Sequence, residues 1–401
     1  MTIASGIKKI VSWKKQSALG SAASGSGGKQ ARRTSSVFSS DYDTYASNEI
    51  VSHHQSTGSA YGLRKASGKL DGELSAGTYA DLFASFLERD FATSVNSGAL
   101  TITYGGSAGA WTAVRASGSF LTDGFKVGMV IRASSGSVTG NNSRNFYVTS
   151  VVALTITFKA LDGATVTSGS STTTTLTVTN KYTYAPTTGH TSDYYTFEEY
   201  YSDLTKSETF TDCVVGGIAI SLPATGNATV SFTIEALDRT MGNSQVLTSP
   251  TLTTTAIMAA INGLIQVNGS ALAVATGLTI NCTKNAKNAG AVIGSNVGAD
   301  VNTGKIMVSG TITAQFDSTT LQTLKDNETN TSINCVITAD NTATSDFVAL
   351  SFPRVKIFTD TPNDGESTIM RTYNWVAEYN GSGGTGVATE QTIMSIQDSA
   401  A

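Results

Sequence analysis

SGKLDGELSAGTYADL (residues 67–82) and SGTITAQFDSTTLQTL (residues 309–324) are one segment written twice, 242 positions apart without a gap. Ser67/Ser309, Gly68/Gly310, Thr78/Thr320 and Leu82/Leu324 are identical, and Leu70/Ile312, Gly72/Ala314, Leu74/Phe316 and Ser75/Asp317 are conservative exchanges. Each copy alternates with the period of two of a half-buried strand and then turns to a helical period. Leu70, Gly72 and Leu74 share one face and Lys69, Asp71 and Glu73 the other. In the second copy Ile312, Ala314 and Phe316 oppose Thr311, Thr313 and Gln315. The helix predicted after the first copy gathers Tyr79, Leu82, Phe83, Phe86 and Leu87 on one side, with Thr78 and Asp81 as a capping box. The same offset pairs Val37-Phe38 with Thr279-Ile280 and Ile50-Val51 with Val292-Ile293, which extends the repeat to roughly 34–90 and 276–332. A repeated strand–helix unit implies internal pseudo-symmetry and, in a closed assembly, fewer chains than units.

Working outward, residues 97–183 lose the helical period. They read as short strands separated by Gly, Asn and Ser turns, a small all-β domain inserted into the first unit. The fold class is mainly β: two tandem β-sandwich or β-barrel units, each with a flanking α-helix, plus the inserted domain. The first unit takes 34–96 and 184–244, and the second takes 245–359. Residues 360–401 read as a Gly-rich loop (NGSGGTG) and a last strand (EQTIMSI). VVGGIAISLPATGNATVSFTIEALD reads as a hairpin about Pro223–Asn227 with Val230, Phe232 and Ile234 on its apolar face. Residues 1–33 carry the apolar residues Ile7, Ile10, Val11 and Trp13 and then SALGSAASGSGGKQARR, whose Gly and Ser give low packing capacity, so they read as an N-terminal arm or loop.

Of the 401 residues, 40% are hydrophobic and only 14% charged, with a formal net charge of −4. Few charges and many β-branched residues fit a β-rich chain that hides surface in an assembly. The acidic balance argues against a general nucleic-acid binder. Three cysteines (Cys213, Cys282, Cys335) have no ligand-like spacing and suggest synthesis in a reducing compartment without a disulfide framework. The N-terminus lacks the apolar core of a signal peptide, and no apolar stretch is long enough to span a membrane, so no membrane insertion is expected.

Catalytic chemistry finds no foothold. His53 and His54 are adjacent, so on a strand they point to opposite faces and make poor joint metal ligands. No serine sits in a nucleophile elbow and no Walker loop is present. Asp71 and Glu73 resemble a carboxylate pair, but the second copy has Thr313 and Gln315 there. No enzyme activity, cofactor or metal is therefore expected.

ARRTSSVFSSDYDTYASNEI, SGKLDGELSAGTYADLFASFLERDFA, VVGGIAISLPATGNATVSFTIEALD, GSNVGADVNTGKIMVSGTITAQF and DNTATSDFVALSFPRVKI together resemble the tail tube proteins of long-tailed, non-contractile bacteriophages. They cover more than half the chain in the expected order. The resemblance implies two tail-tube-like units whose sheets join those of neighbours into a continuous β-barrel around a lumen. It implies stacked rings, a tape-measure protein inside the tube before ejection, and transient, non-specific passage of double-stranded DNA afterwards. Tail tip and terminator proteins are further implied partners, and the virion tail is the implied location, after synthesis in the host cytoplasm. With two units per chain, a homotrimeric, pseudo-hexameric ring is expected; the homohexameric ring is the alternative. Lys69, Asp71, Glu73, Thr311, Thr313 and Gln315 are the candidate lumen-facing residues, with Leu70, Leu74, Ile312 and Phe316 in the core. Lys8, Lys9, Lys14, Lys15, Arg32 and Arg33, with acidic Glu198, Glu199 and Asp203, are candidate ring-to-ring contacts. Rival readings are a capsid-decoration or fibre protein and, from another class, a secreted carbohydrate-binding or adhesin-like module.

Overall fold

Strand alternation in the repeat decides which side of the main sheet is dry. In the strand Ser59–Glu73, Leu70 and Gly72 are buried while Lys69, Asp71 and Glu73 reach solvent; in Met307–Gln315, Val308, Ile312 and Ala314 are buried between partly exposed Ser309, Thr311 and Thr313. The computed structural model describes residues 3–92, 95–364, 366–382 and 391–401. Part of the expected Gly-rich loop (383–386) and the first residue of the expected last strand (390) lie outside the described residues.

Eight strands follow one another in a continuous antiparallel run. Their order is Arg33–Ala46, Ser59–Glu73, Thr229–Ala236, the second half of Lys206–Pro223, Ala275–Thr283, Met307–Gln315, Met370–Ala377 and the second half of Phe347–Pro362. The first four strands and the last four are two copies of one sheet. Arg33↔Gly72 becomes Ala275↔Ala314, and a register shift follows at once in both. Thr229↔Glu73 becomes Met370↔Gln315. Val215↔Ile234 becomes Ile357↔Trp375, again with a bulge one residue on, at Gly216 and Phe358. Bulges are retained only where they shape a strand, so their recurrence argues for one unit duplicated rather than two similar sheets.

Each unit folds a second sheet over the first. The long strands Lys206–Pro223 and Phe347–Pro362 belong to both layers. The pairing register of the first shifts beside Asp212, which sits at φ 55°, and that of the second at Pro353 and Arg354. Tyr195–Tyr201 pairs with Lys206–Cys213, and Thr331–Thr338 pairs with the first half of Phe347–Pro362. One apolar core, including Leu70, Phe232, Ile280, Ile312 and Trp375, runs between the layers through both units.

The N-terminal segment corrects the expectation of a loose arm. Lys9–Lys15 is a strand paired with Tyr195–Tyr201, and Trp13 is fully buried, stacked on Phe197 and Tyr79 at 5.9 and 6.5 Å between ring centres. Val11 and Trp13 alternate inward, a signal too short to stand out before the Gly/Ser stretch.

Helix α1 (Ala80–Leu87) is buried on nearly every side and packs Phe83 on Phe232. Its expected capping box does not form. The Thr78 hydroxyl instead bonds those of Ser75 and Thr253, and at the other end the Lys284 ammonium donates to the Ser85 carbonyl. Helix α2 (Thr320–Asp326) buries only Leu321.

The inserted domain is a closed six-stranded barrel from Asn96 to Val178 with its own core. The strand Lys181–Tyr184 lies in the large sheet, paired with Ser395–Asp398. Val130 and Tyr147 of the barrel pack on Val336, Phe347 and Ala349 of the second unit, and Gln397 clamps the barrel through the Val130 and Thr179 carbonyls.

Candidate assembly surfaces

The six residues expected to face a lumen share one face. Lys69 and Gln315 are exposed and Asp71, Glu73, Thr311 and Thr313 half-buried, all on the side of the eight-strand run away from the core. Neighbouring strands extend it with Thr229, Ser231 and Thr233, with Thr279 and Asn281, and with Thr372 and Asn374. The two halves differ in charge. Lys69 and Asp71 pair at 3.0 Å, Glu73 accepts from the Asn227 amide at 2.7 Å, and burial raises the Glu235 carboxyl. The second half is held by hydroxyls: Thr279 bonds Thr311 at 2.7 Å and Thr313 bonds Thr372 at 3.4 Å.

Phe316 departs from its expected place. Its counterpart Leu74 is fully buried, with its carbonyl accepting the Met258 N–H, whereas Phe316 is 42% exposed and lies under the Arg371 guanidinium.

The ring-to-ring set divides. Glu198 is buried and holds the backbone N–H groups of Val246 and Leu247 at 2.6 and 2.7 Å. Glu199, also buried, takes Lys9 at 2.6 Å and the Ser36 hydroxyl at 2.7 Å. Both belong to the interior of this chain, which removes them as contacts with another ring. The reason is that an acidic run on a central strand is satisfied locally rather than left to a partner. Lys14 donates to the Ser24 and Ser26 carbonyls, Lys15 pairs with Asp193 at 2.9 Å, Arg32 donates to the Thr255 carbonyl, and Arg33 to those of Gly6 and Lys9. Asp203 accepts the Ser5 N–H. Lys8 is exposed.

Sequence reading missed that, among the described residues, both outer edges of the eight-strand run lack a strand partner. One is the outer side of Arg33–Ala46, and the other is the outer side of the Thr359–Pro362 stretch. Their equivalence to paired strands is visible only through the registers, because TVSFTIEA and MRTYNWVA share just the final alanine. Among the described residues no helix is long and apolar enough to cross a membrane. The three cysteines are free and buried.

The family model for phage tail tube protein matches residues 6–377. The comparison with curated proteins found no match. With nearly the whole chain covered and a duplicated, open-edged β-sheet at its centre, this chain belongs to the phage tail tube protein family and is a structural component of the virion tail.

Proposed function

We propose that three copies close head to tail into a ring and that rings stack into the hollow tail tube. The observation that carries this reading is the internal joint between the two units. There the last strand of the first sheet copy pairs along seven residues with the first strand of the second, from Gly217↔Thr283 to Pro223↔Gly277. One chain thus already contains one unit-to-unit joint and leaves one edge of each kind open. Closure removes both edges, which otherwise template unwanted pairing. Three copies give a barrel of twenty-four strands, beyond the roughly 16–18 strands that leave an aqueous channel in porins.

The polar face then lines the lumen, with a charged and a hydroxyl-rich sector alternating in threefold order. A Thr/Asn/Ser wall with few fixed cations does not neutralise phosphates, so it lets DNA slide. Before ejection the same lumen encloses the tape-measure protein, and tail tip and terminator proteins bound the stack. Stacking uses accessible basic residues of the N-terminal segment, Lys8 foremost. Negative-stain microscopy and helical reconstruction of the purified chain test the reading: stacked rings with three chains and pseudo-sixfold density support it. Compact monomers at high concentration, or rings of six chains, overturn it.

A further inference from the structure

The internal joint is also a template for the external one. The second copy's counterparts of Gly217–Ser221 are Thr359–Asn363, matched through the shared bulge. The first copy's counterparts of Ala275–Thr283 are Arg33–Asp41, matched through the shared register shift. We infer that Thr359, Asp360, Thr361, Pro362 and Asn363 of one copy pair antiparallel with Asp41, Ser40, Ser39, Phe38 and Val37 of the next, and that Pro362 keeps this seam weaker than the internal one. The inference rests on the ring reading and adds its register.

Backbone directions agree with that register. In the internal joint the Ala224 N–H donates to the Thr276 carbonyl at 2.9 Å, so Thr276, Leu278, Ile280 and Cys282 turn their peptide groups to the joint. Their counterparts Thr34, Ser36, Phe38 and Ser40 then face the open edge. The Ser36 carbonyl does so, since the Lys9 ammonium reaches it at 3.1 Å from outside the hairpin. On the opposite edge the Asn363 N–H donates inward to the Met370 carbonyl at 3.0 Å. By alternation, the Pro362 nitrogen sits on the open side. A proline is tolerated there because it withholds a donor only from a partner outside the chain.

The seam that results is thin. Internally, Ile218, Ile220 and Leu222 meet Cys282, Ile280 and Leu278, all buried. Externally the same row holds Asp360 against Ser40 and Pro362 against Phe38, and one N–H is missing. What it gains lies at one end. The Lys284 N–H donates to the Gly216 carbonyl, and these residues correspond to Tyr42 and Phe358. Phe358 is 59% exposed on one edge; Tyr42 and Tyr61, the latter 82% exposed, are in edge contact on the other. Exposed rings on both edges meet when the register is applied, at positions where aromatic pairs stabilise an interface. A subunit with such edges resists random edge pairing while free and closes when its neighbours are aligned.

Ser39 and Thr361 are both exposed and, in this register, opposite each other at a non-hydrogen-bonded position, where Cβ atoms lie close enough for a disulfide. The chain carrying Ser39→Cys and Thr361→Cys, oxidised with diamide, is expected to run as covalent trimers on a non-reducing gel, the native cysteines being buried. Ser39→Cys with Thr359→Cys, displaced by one step on the same face, is expected to stay mostly monomeric. A ladder ending at six chains upholds the register and overturns the three-chain ring. Rings in the micrographs with no cross-link at 39/361, or a stronger one at 39/359, overturn the register alone. Absence of rings overturns both readings.

Discussion

Asp398 receives the Gly77 N–H on both of its carboxylate oxygens, each at 2.9 Å, tying the last strand to the turn that opens α1. The side chain is buried, and desolvation pushes its carboxyl up to about 6, against the opposing pull of the Ala400 and Gly77 N–H groups. An unfolded aspartate titrates near 3.9. A carboxyl raised in the folded state stabilises fully below about pH 4 and loses that contribution as pH rises through about 6.

Asp398→Asn keeps an acceptor for Gly77 but does not titrate. The stability of the native chain relative to this variant is therefore expected to fall by about 2–3 kcal/mol between about pH 4 and pH 8. Denaturation midpoints of both proteins across that range measure it. A pH-independent difference rejects the assignment.

Trp13 tests whether the N-terminal segment is core or arm. Its ring is fully buried between Tyr79 and Phe197. Trp13→Ala is expected to destabilise the chain by about 3–5 kcal/mol, the range for truncating a large buried aromatic. Thermal unfolding reads this directly, and a shift within the scatter of surface substitutions sends the segment back to being an arm.

The repeat strand and the insert were legible because both rest on short-range periodicity. The pairing of the two sheets was not. Thr229–Ala236 and Met370–Ala377 occupy the same register against the repeat strands, yet they sit 141 rather than 242 residues apart, because the barrel insert lengthens only the first unit. Glu198 and Glu199 read from the sequence as accessible acids for ring-to-ring contacts. Only the tertiary fold brings the Val246 and Leu247 N–H groups and the Lys9 ammonium to them. Thr78 and Asp81 have capping spacing, but Thr253, far off in sequence, competes for the hydroxyl.

The two repeat glycines are not equivalent, although both are identical in sequence. A Cβ on Gly310 meets the Thr279 backbone carbonyl as well as the Trp375 ring, while the nearest atoms to one on Gly68 all belong to the Phe38 ring. Trp375 is buried in the core, and Phe38, though partly exposed on the edge strand, packs on the buried Phe197 and Phe210 rings at 5.4 and 4.9 Å between centres. A side-chain ring can shift to admit a methyl group, whereas a backbone carbonyl held in the sheet cannot move without disturbing the strand. Gly310→Ala is expected to cost about 1–3 kcal/mol by overpacking and Gly68→Ala clearly less in the free chain. Urea titrations of the two variants compare them; equal losses refute the argument.

Placing cations on the polar face tests whether that face lines the DNA path. Thr311 and Thr313 are half-buried with their hydroxyls bonded to neighbouring threonines, so lysines there direct their ammonium groups out of the sheet. Each phosphate neutralised makes binding more salt-dependent, with a slope of about −0.9 per contact in log K against log salt. Phage carrying Thr311→Lys and Thr313→Lys should assemble tails of normal length but eject DNA more slowly at about 50 mM salt. The rate should recover toward that of the parent phage at about 200 mM. Time-resolved ejection at the two salt concentrations separates this from a folding defect, which salt would not repair in that pattern. Ejection unchanged at low salt would mean that the threonine face points away from the DNA, and the lumen assignment would then fail for the whole eight-strand run.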